Sequence, residues 1–289
     1  MLKNELLKKN KKFEFRKFKS TLMLGFSIIA SIIAVLPLLY IFFYTTASGA
    51  SALNFDFFVN LPKPFGESGG GIGNAILGTF IMLLIGSAFG IPIGIMTGIY
   101  VSEYSGSIMS NIIKFLTDVL SGIPSIIIGI FAYGLIVIPT KKFSAFAGGF
   151  ALGLLMIPTI TRTTEEMLKL VPNTLREASL ALGITKWRTS LSIVLKTASS
   201  GVITGILLAL ARAAGETAPL LFTSFGNNFW STSLSEPISS IPVQIYNFAI
   251  SPYEDWHRMA WAGAFVLITV VFIINLIVRI ITKRKFSLN

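Results

Sequence analysis

Six runs without charge, or nearly so, each about as long as lipid hydrocarbon is thick, constrain this chain more than any other feature. A helix crossing ~30 Å of hydrocarbon needs ~20 apolar residues. Thr21–Thr46, Asn74–Ser102, Val119–Pro139, Phe143–Thr161, Thr197–Thr223 and Met259–Val278 all qualify. Hydrophobic residues make up 53% of the 289 positions and charged residues only 13%, against a usual ~25%. The longest polar stretches, 162–196 and 224–257, hold roughly 35 residues each, below the ~40 that a self-supporting core needs. The pattern predicts an all-α integral membrane protein of six transmembrane helices.

Loop charge sets its orientation. Eight Lys or Arg lie in the first twenty residues, and Arg279, Lys283, Arg284 and Lys285 in the tail. With both ends inside, segment 162–196 and Lys114 also fall inside, which places nineteen basic residues there. The outer loops hold only Lys63, Lys141, Lys142 and Arg258. This gives a basic cytoplasmic N-terminus over 1–20, a membrane domain over 21–281 and a basic cytoplasmic tail over 282–289. The apolar core of the first run exceeds the 7–15 residues of a cleaved signal, so it reads as a retained helix. The net charge of +11 sits beside apolar spans, which speaks for a lipid surface and against nucleic acid.

Glycines recur every fourth residue at Gly86, Gly90, Gly94 and Gly98, and small residues at Gly201, Gly205, Ala209 and Ala213. Gly149 and Gly153 add a third pair. Such stripes let helix backbones approach closely in lipid. Pro92, Pro124 and Pro158 interrupt three spans and are expected to kink them. Gly69-Gly70-Gly71 predicts a flexible approach to the second span. Trp230 and Trp256 in the outer loop read as interfacial anchors.

Arg212 and Glu216 stand in the otherwise uncharged stretch Thr197–Ser235. An ionised side chain near a bilayer centre costs roughly 2.5 kcal/mol or more, so it usually faces a protein interior or a polar pathway. The i, i+4 spacing puts both on one helix face. Two readings follow: residues of a solute pathway, or a neutralised pair that fixes packing. Arg162 reads as a positive-inside anchor, Glu165-Glu166 as a solvated loop face, and His257 as a solvated loop residue. With no cysteine and one histidine, Cys-based zinc sites, cysteine nucleophiles and multi-histidine metal sites are excluded.

Residues 172–196 are the most structured of the polar segments. Pro172 blocks helix continuation, Asn173 or Thr174 is a candidate cap, and Leu175, Ala178 and Leu182 give a short helix an apolar face. Gly183 supplies a left-handed stop. Thr185 is a candidate cap for a next helix running into the fifth span. Glu177-Ala178-Ser179, three residues, Gly183, nine residues, Ile193 and then Leu195 resemble the EAA loop of ABC importer permeases. Two positions depart from that pattern: Ser179 replaces its third residue and Lys196 its proline. The run Gly201–Thr223, with Arg212-Ala213-Ala214-Gly215-Glu216-Thr217-Ala218-Pro219 inside it, is similar to phosphate-importer permeases of the PstA and PstC type. Asn228-Phe229-Trp230 and Gly70-Gly71-Ile72-Gly73-Asn74-Ala75 look more like PstA.

The resemblance implies a type I ABC importer permease fold and a transport subunit without catalytic residues or a metal. Arg212, Glu216 and Thr217 become the candidate substrate pathway, and Arg176, Glu177, Ala178 and Gly183 the candidate coupling residues. The implied partners are a PstB-like cytoplasmic ATPase dimer carrying ATP and magnesium, a PstC-like second permease and a PstS-like extracytoplasmic phosphate-binding protein. No cofactor is expected on this chain, and no Gly-x-x-x-x-Gly-Lys-Ser/Thr occurs in it, so ATP hydrolysis is expected on a separate polypeptide. Phosphate crosses hydrocarbon only where donors replace its water, and arginine's fork matches oxyanion geometry. The alternatives are a molybdate- or tungstate-type importer, a channel outside the ABC class, or a membrane-embedded enzyme.

Overall fold

In the computed structural model of the chain, residues 2–64, 66–67 and 69–286 are described. Side chains are described outside 2–12, 274, 277–279 and 281–286. The basic side chains up to Lys12, and those of Arg279, Lys283, Arg284 and Lys285, therefore lie outside the described set, as do Met1 and residues 287–289. The chain forms two units, Met1–Ser48 and Gly49–Asn289.

The first unit is one helix, α1 (Leu2–Gly49). At 48 residues it is about 72 Å long, far more than a bilayer core. Phe26, Ile29, Ile33, Leu38 and Phe43 are exposed around its circumference, as suits a helix solvated by lipid.

The second unit is a helical bundle: α2 (Phe55–Val59), α3 (Gly73–Glu103), α4 (Ile108–Gly122), α5 (Ser125–Thr140), α6 (Ala145–Lys169), α7 (Asn173–Ala181), α8 (Lys186–Thr197), α9 (Ser199–Ala214), α10 (Ala218–Thr223), α11 (Ile241–Ala249) and α12 (Glu254–Phe286). Among the described residues, four helices are long and apolar enough to cross a membrane, and two bent pairs bring the total to as many as six. The expected third span, Val119–Pro139, takes in the last turn of α4 and most of α5, and the connection expected before it is the rest of α4; the two helices are bent by 105°. Pro124 makes that bend. It holds Ile123 in an extended conformation, φ −73° and ψ 130°, as a residue before proline must be. Pro92 and Pro158 behave differently and lie inside the unbroken helices α3 and α6.

α3 and α6 form the centre of the bundle, and glycine decides how closely they meet. A methyl group on Gly86 would lie 2.9 Å from Gly149 O, and one on Gly90 would lie 3.1 Å from Gly153 O. Further along, Gly94 faces Ile160 and Gly98 faces Thr164. α9 joins by the same device, Gly201 against Met167 and Gly205 against Thr163. The space between is filled by Met82, Leu152, Met156, Ile160, Ala209, Ala213 and Leu220.

The segments leading into α3 and α12 are more ordered than their sequence suggests. Ile72 N–H donates to Phe57 O at 2.8 Å and Gly71 N–H to Leu61 O at 3.1 Å. A methyl group on Gly71 would meet the carbonyls of Asp56, Phe57 and Asn60. Gly71 thus serves close packing against α2 in place of the flexibility expected of it. Residues 224–257, expected as a loop, contain α11 and a parallel bridge between Phe225 and Ile238. His257 belongs to the first turn of α12, and its Nε2 lies 2.6 Å from Ser251 O. It is a hydrogen-bonded helix residue, which corrects the solvated-loop reading.

We expect Gly86→Leu to destabilise the α3–α6 contact by roughly 1–3 kcal/mol or more through overpacking. Gly134→Leu is the matched control, because nothing lies within 4 Å of a methyl group there. The thermal midpoint of the detergent-solubilised protein should fall in the first variant and hold in the second.

Candidate functional site

Two regions carry the residues singled out from the sequence: a broken helix and an elbow. The broken helix is α9–α10. α9 has 16 residues, about 24 Å of rise, which is short of a bilayer core. Beyond the break the chain resumes as the six residues of α10, while on the other side α9 forms a bent pair with α8. The break is built from Gly215, where α9 ends, and Pro219, which has no N–H to offer the preceding turn. Gly215 N–H donates to Arg212 O at 3.1 Å and Glu216 N–H to Ala213 O at 3.2 Å. Thr217 O then accepts from Leu220 N–H at 3.1 Å and starts α10. Pro219 is seated on α5, where a methyl group on Gly129 would lie 2.5 Å from its Cα.

Arg212 and Glu216 therefore do not share one helix as their spacing suggested. Arg212 is in the last turn of α9, and Glu216 lies in the break. They still pair, Nε to Oε1 at 3.7 Å. That is an ion pair without the short contact of a charge-assisted hydrogen bond. The Arg212 side chain is 52% exposed and that of Glu216 16%. On the same side of α9, Leu208 is 52% exposed, and the neighbouring Thr217 is half-buried.

The elbow joins α7 to α8. Gly183 has φ +78°. Its N–H donates to Leu180 O at 2.9 Å, and Ile184 N–H donates to Ser179 O at 3.2 Å. This is the paired pattern of a Schellman stop, as the glycine foretold. α7 itself starts without a side-chain cap: Pro172 occupies the cap position, and neither Asn173 nor Thr174 fills that role. Thr185 likewise precedes α8 without a side-chain bond, and α8 meets α9 at 76° and does not run straight into it.

The two faces of α7 differ. Glu177, Ala178 and Gly183 are exposed, and so is Leu182 at 81%. Arg176 points inward. Its guanidinium donates to Glu103 Oε1 from Nη2 at 3.1 Å and from Nε at 3.2 Å, to Val171 O at 2.7 Å, to Leu168 O at 2.8 Å and to Asn173 Oδ1 at 3.4 Å. Of the four candidate coupling residues, Arg176 is therefore turned to the bundle, and Glu177, Ala178 and Gly183 are exposed. Ser179, the departure from the EAA pattern, is buried and shares a 2.8 Å hydroxyl contact with buried Thr189 on α8.

Acidic residues that the sequence left in loops prove to be structural. Glu165 lies inside α6, its side chain 5% exposed, with Lys114 Nζ at 3.0 Å and Lys169 also paired to it. Arg162 contacts Asp118 and Glu166, both at 3.2 Å. Lys114–Glu165 and Arg162–Asp118 cross-tie α4 to α6, which replaces the solvated-face reading of Glu165. Glu103 had one visible signal, a lone carboxylate closing a long apolar run.

A family described as "Binding-protein-dependent transport system inner membrane component" matches residues 90–287. The phosphate transport system permease protein PstA of Yersinia pestis is 43% identical over 278 residues, covering 96% of this chain and 94% of that one. This chain belongs to the PstA family of inner-membrane permeases. A second PstA-family relative, the phosphate transport system permease protein PstA of Haemophilus influenzae, is 45% identical over 278 residues, 96% and 98% of the two chains. The archaeal protein of Methanocaldococcus jannaschii described as probable PstA is 33% identical over 259 residues, 89% and 92%. Solved structures extend the likeness in fold. A bacterial alginate ABC transporter in complex with an alginate-bound periplasmic protein aligns with TM-score 0.62 at 16% identity, covering 93% of this chain and 96% of that chain. An inward-facing MetNI methionine ABC transporter aligns with TM-score 0.56 at 18% identity, 74% and 93%. The PstA-family chain thus has the type I ABC importer permease fold and is a membrane transport subunit, not an enzyme.

We expect Ser179→Val to lower stability by about 1–3 kcal/mol, because it leaves the Thr189 hydroxyl buried without a partner. Replacing both residues by valine should cost less than the single change. A double-mutant cycle on thermal midpoints measures the difference.

Proposed function

We propose that this PstA-family permease forms half of the membrane conduit of an ATP-driven phosphate importer. The observation that carries the reading is the half-exposed Arg212 at a break in a membrane-spanning helix. A guanidinium in lipid costs roughly 2.5–3.5 kcal/mol or more, so its open face must be met by a polar pathway or a companion chain. Broken helices near the midplane are where transporters expose backbone and side-chain polar groups to solute. The long Arg212–Glu216 contact neutralises the empty site and yields to an oxyanion, whose oxygens match the arginine fork. The family membership supplies the solute, since PstA relatives are phosphate transport permeases.

In this reading the conduit is completed by a second, PstC-like permease. A PstB-like ATPase dimer binds ATP and magnesium and grips the exposed face of α7 on the cytoplasmic side. A PstS-like binding protein delivers phosphate to the opposite end, where α2 and α11 cover the bundle. Both termini then lie in the cytoplasm, as the loop charges require.

Arg212→Ala should abolish ATP-dependent phosphate uptake into proteoliposomes while the complex still assembles. Normal uptake would remove Arg212 from the pathway, and stronger competition by molybdate or tungstate than by phosphate would overturn the solute assignment. Glu177→Ala should lower recovery of the ATPase when this chain is affinity-purified from membranes. Unchanged recovery together with unchanged uptake would reject its docking role.

A further inference from the structure

We propose that Arg176 and Glu103 are positioning residues that carry motion of the elbow into the α3–α6 pair. The proposal rests on the reading of the elbow as the ATPase-docking element. Arginine has five N–H donors in a rigid fork, and here the guanidinium makes five donor contacts, the longest to Asn173 Oδ1 at 3.4 Å. Two go to Glu103, the last residue of α3; two others go to Leu168 O and Val171 O, at and just past the end of α6. One side chain on α7 therefore grips the ends of both central helices. The pair is well shielded, with side-chain exposures of 18% for Arg176 and 6% for Glu103.

A second tie comes from the far side of the elbow. Lys186, the first residue of α8, donates to Glu103 O at 3.1 Å, and its ammonium lies 4.2 Å from the centre of the Tyr104 ring. Both arms of the elbow thus hold the end of α3. The joint between α8 and α9, by contrast, is a 76° bend with no such clasp across it among the described residues. Displacement of the elbow passes through this clasp to α3 and α6, and reaches α9 through the apolar cluster of Leu168, Val171, Val194, Ala198 and Val202. The small-residue packing of α3 on α6 then moves those two helices as one body, and α9, which bears Arg212, follows through Gly201 and Gly205.

The test uses the complete transporter, this chain with its ATPase, companion permease and binding protein, in liposomes supplied with inorganic phosphate and ATP. In Glu103→Gln, which keeps the size and an accepting oxygen but loses the charge, we expect assembly and basal ATP hydrolysis to persist, with phosphate moved per ATP falling roughly tenfold or more as the charge-assisted clasp is weakened. Arg176→Lys keeps the charge and loses the fork, and should show the same fall; should Glu103→Gln fail to assemble, this variant decides. An unchanged phosphate-to-ATP ratio in the assembled variants, with or without a lower thermal midpoint, would reduce the pair to a brace and overturn the proposal. Leu182→Asp on the exposed face separates the underlying reading. If the ATPase still binds at wild-type yield, the docking role of the elbow falls, whatever the ratio in Glu103→Gln.

Discussion

Backbone contact between α3 and α6 is the constraint on which the rest of the structure depends. Lipid supplies no hydrophobic force to push helices together, so association relies on close packing and polar contacts. Gly86 and Gly90 on one helix and Gly149 and Gly153 on the other remove the side chains that would hold the axes apart. Gly201 and Gly205 let α9 settle against α6 in the same manner. The position of Arg212 is then fixed relative to the bundle by contacts one to three turns earlier in its own helix.

That packing also explains why four prolines act in two ways. Pro92 and Pro158 lie within helices held by neighbours along much of their length, and the helices continue through them. Pro124 and Pro219 follow Gly122 and Gly215, where the backbone has no side chain to hold it, and there the helices end. The two breaks are connected, since Pro219 packs on Gly129 of α5. Arg212 near the C-terminus of α9 also complements the partial negative charge of that helix end. The break is therefore electrostatically consistent with a cation.

The spans were legible because hydrocarbon thickness sets a length that composition alone reveals. The glycine stripes and the left-handed Gly183 were legible because each follows from steric rules that act within a few residues. What escaped was decided by distant chain. Glu165 looks like any loop carboxylate until α4 brings Lys114 to it. Glu103 gains its meaning from Arg176, seventy-three positions away. The expected continuity of the fifth span failed because Gly215 and Pro219 act together, and spacing alone treated Arg212 and Glu216 as neighbours on one helix. His257 follows Glu254 and Asp255, acids that favour a helix start, so its helical place had a local sign.

The departure of Ser179 from the EAA pattern shows how a short helix keeps two faces distinct. Arg176 and Ser179 are three residues apart and share the inner side of α7, while Glu177, Ala178 and Leu182 share the outer side. A small residue at 179 is required for α8 to approach, and serine adds a hydroxyl that Thr189 satisfies. Moving α7 away from the bundle would strand that buried hydroxyl pair and the Arg176–Glu103 contact together, each at the desolvation cost of an unpaired polar group. The outer face carries no comparable internal commitment. An element bound by polar contacts on one side and exposed on the other shifts as a unit with whatever it is bound to, which for the inner face of α7 is the end of α3 and of α6.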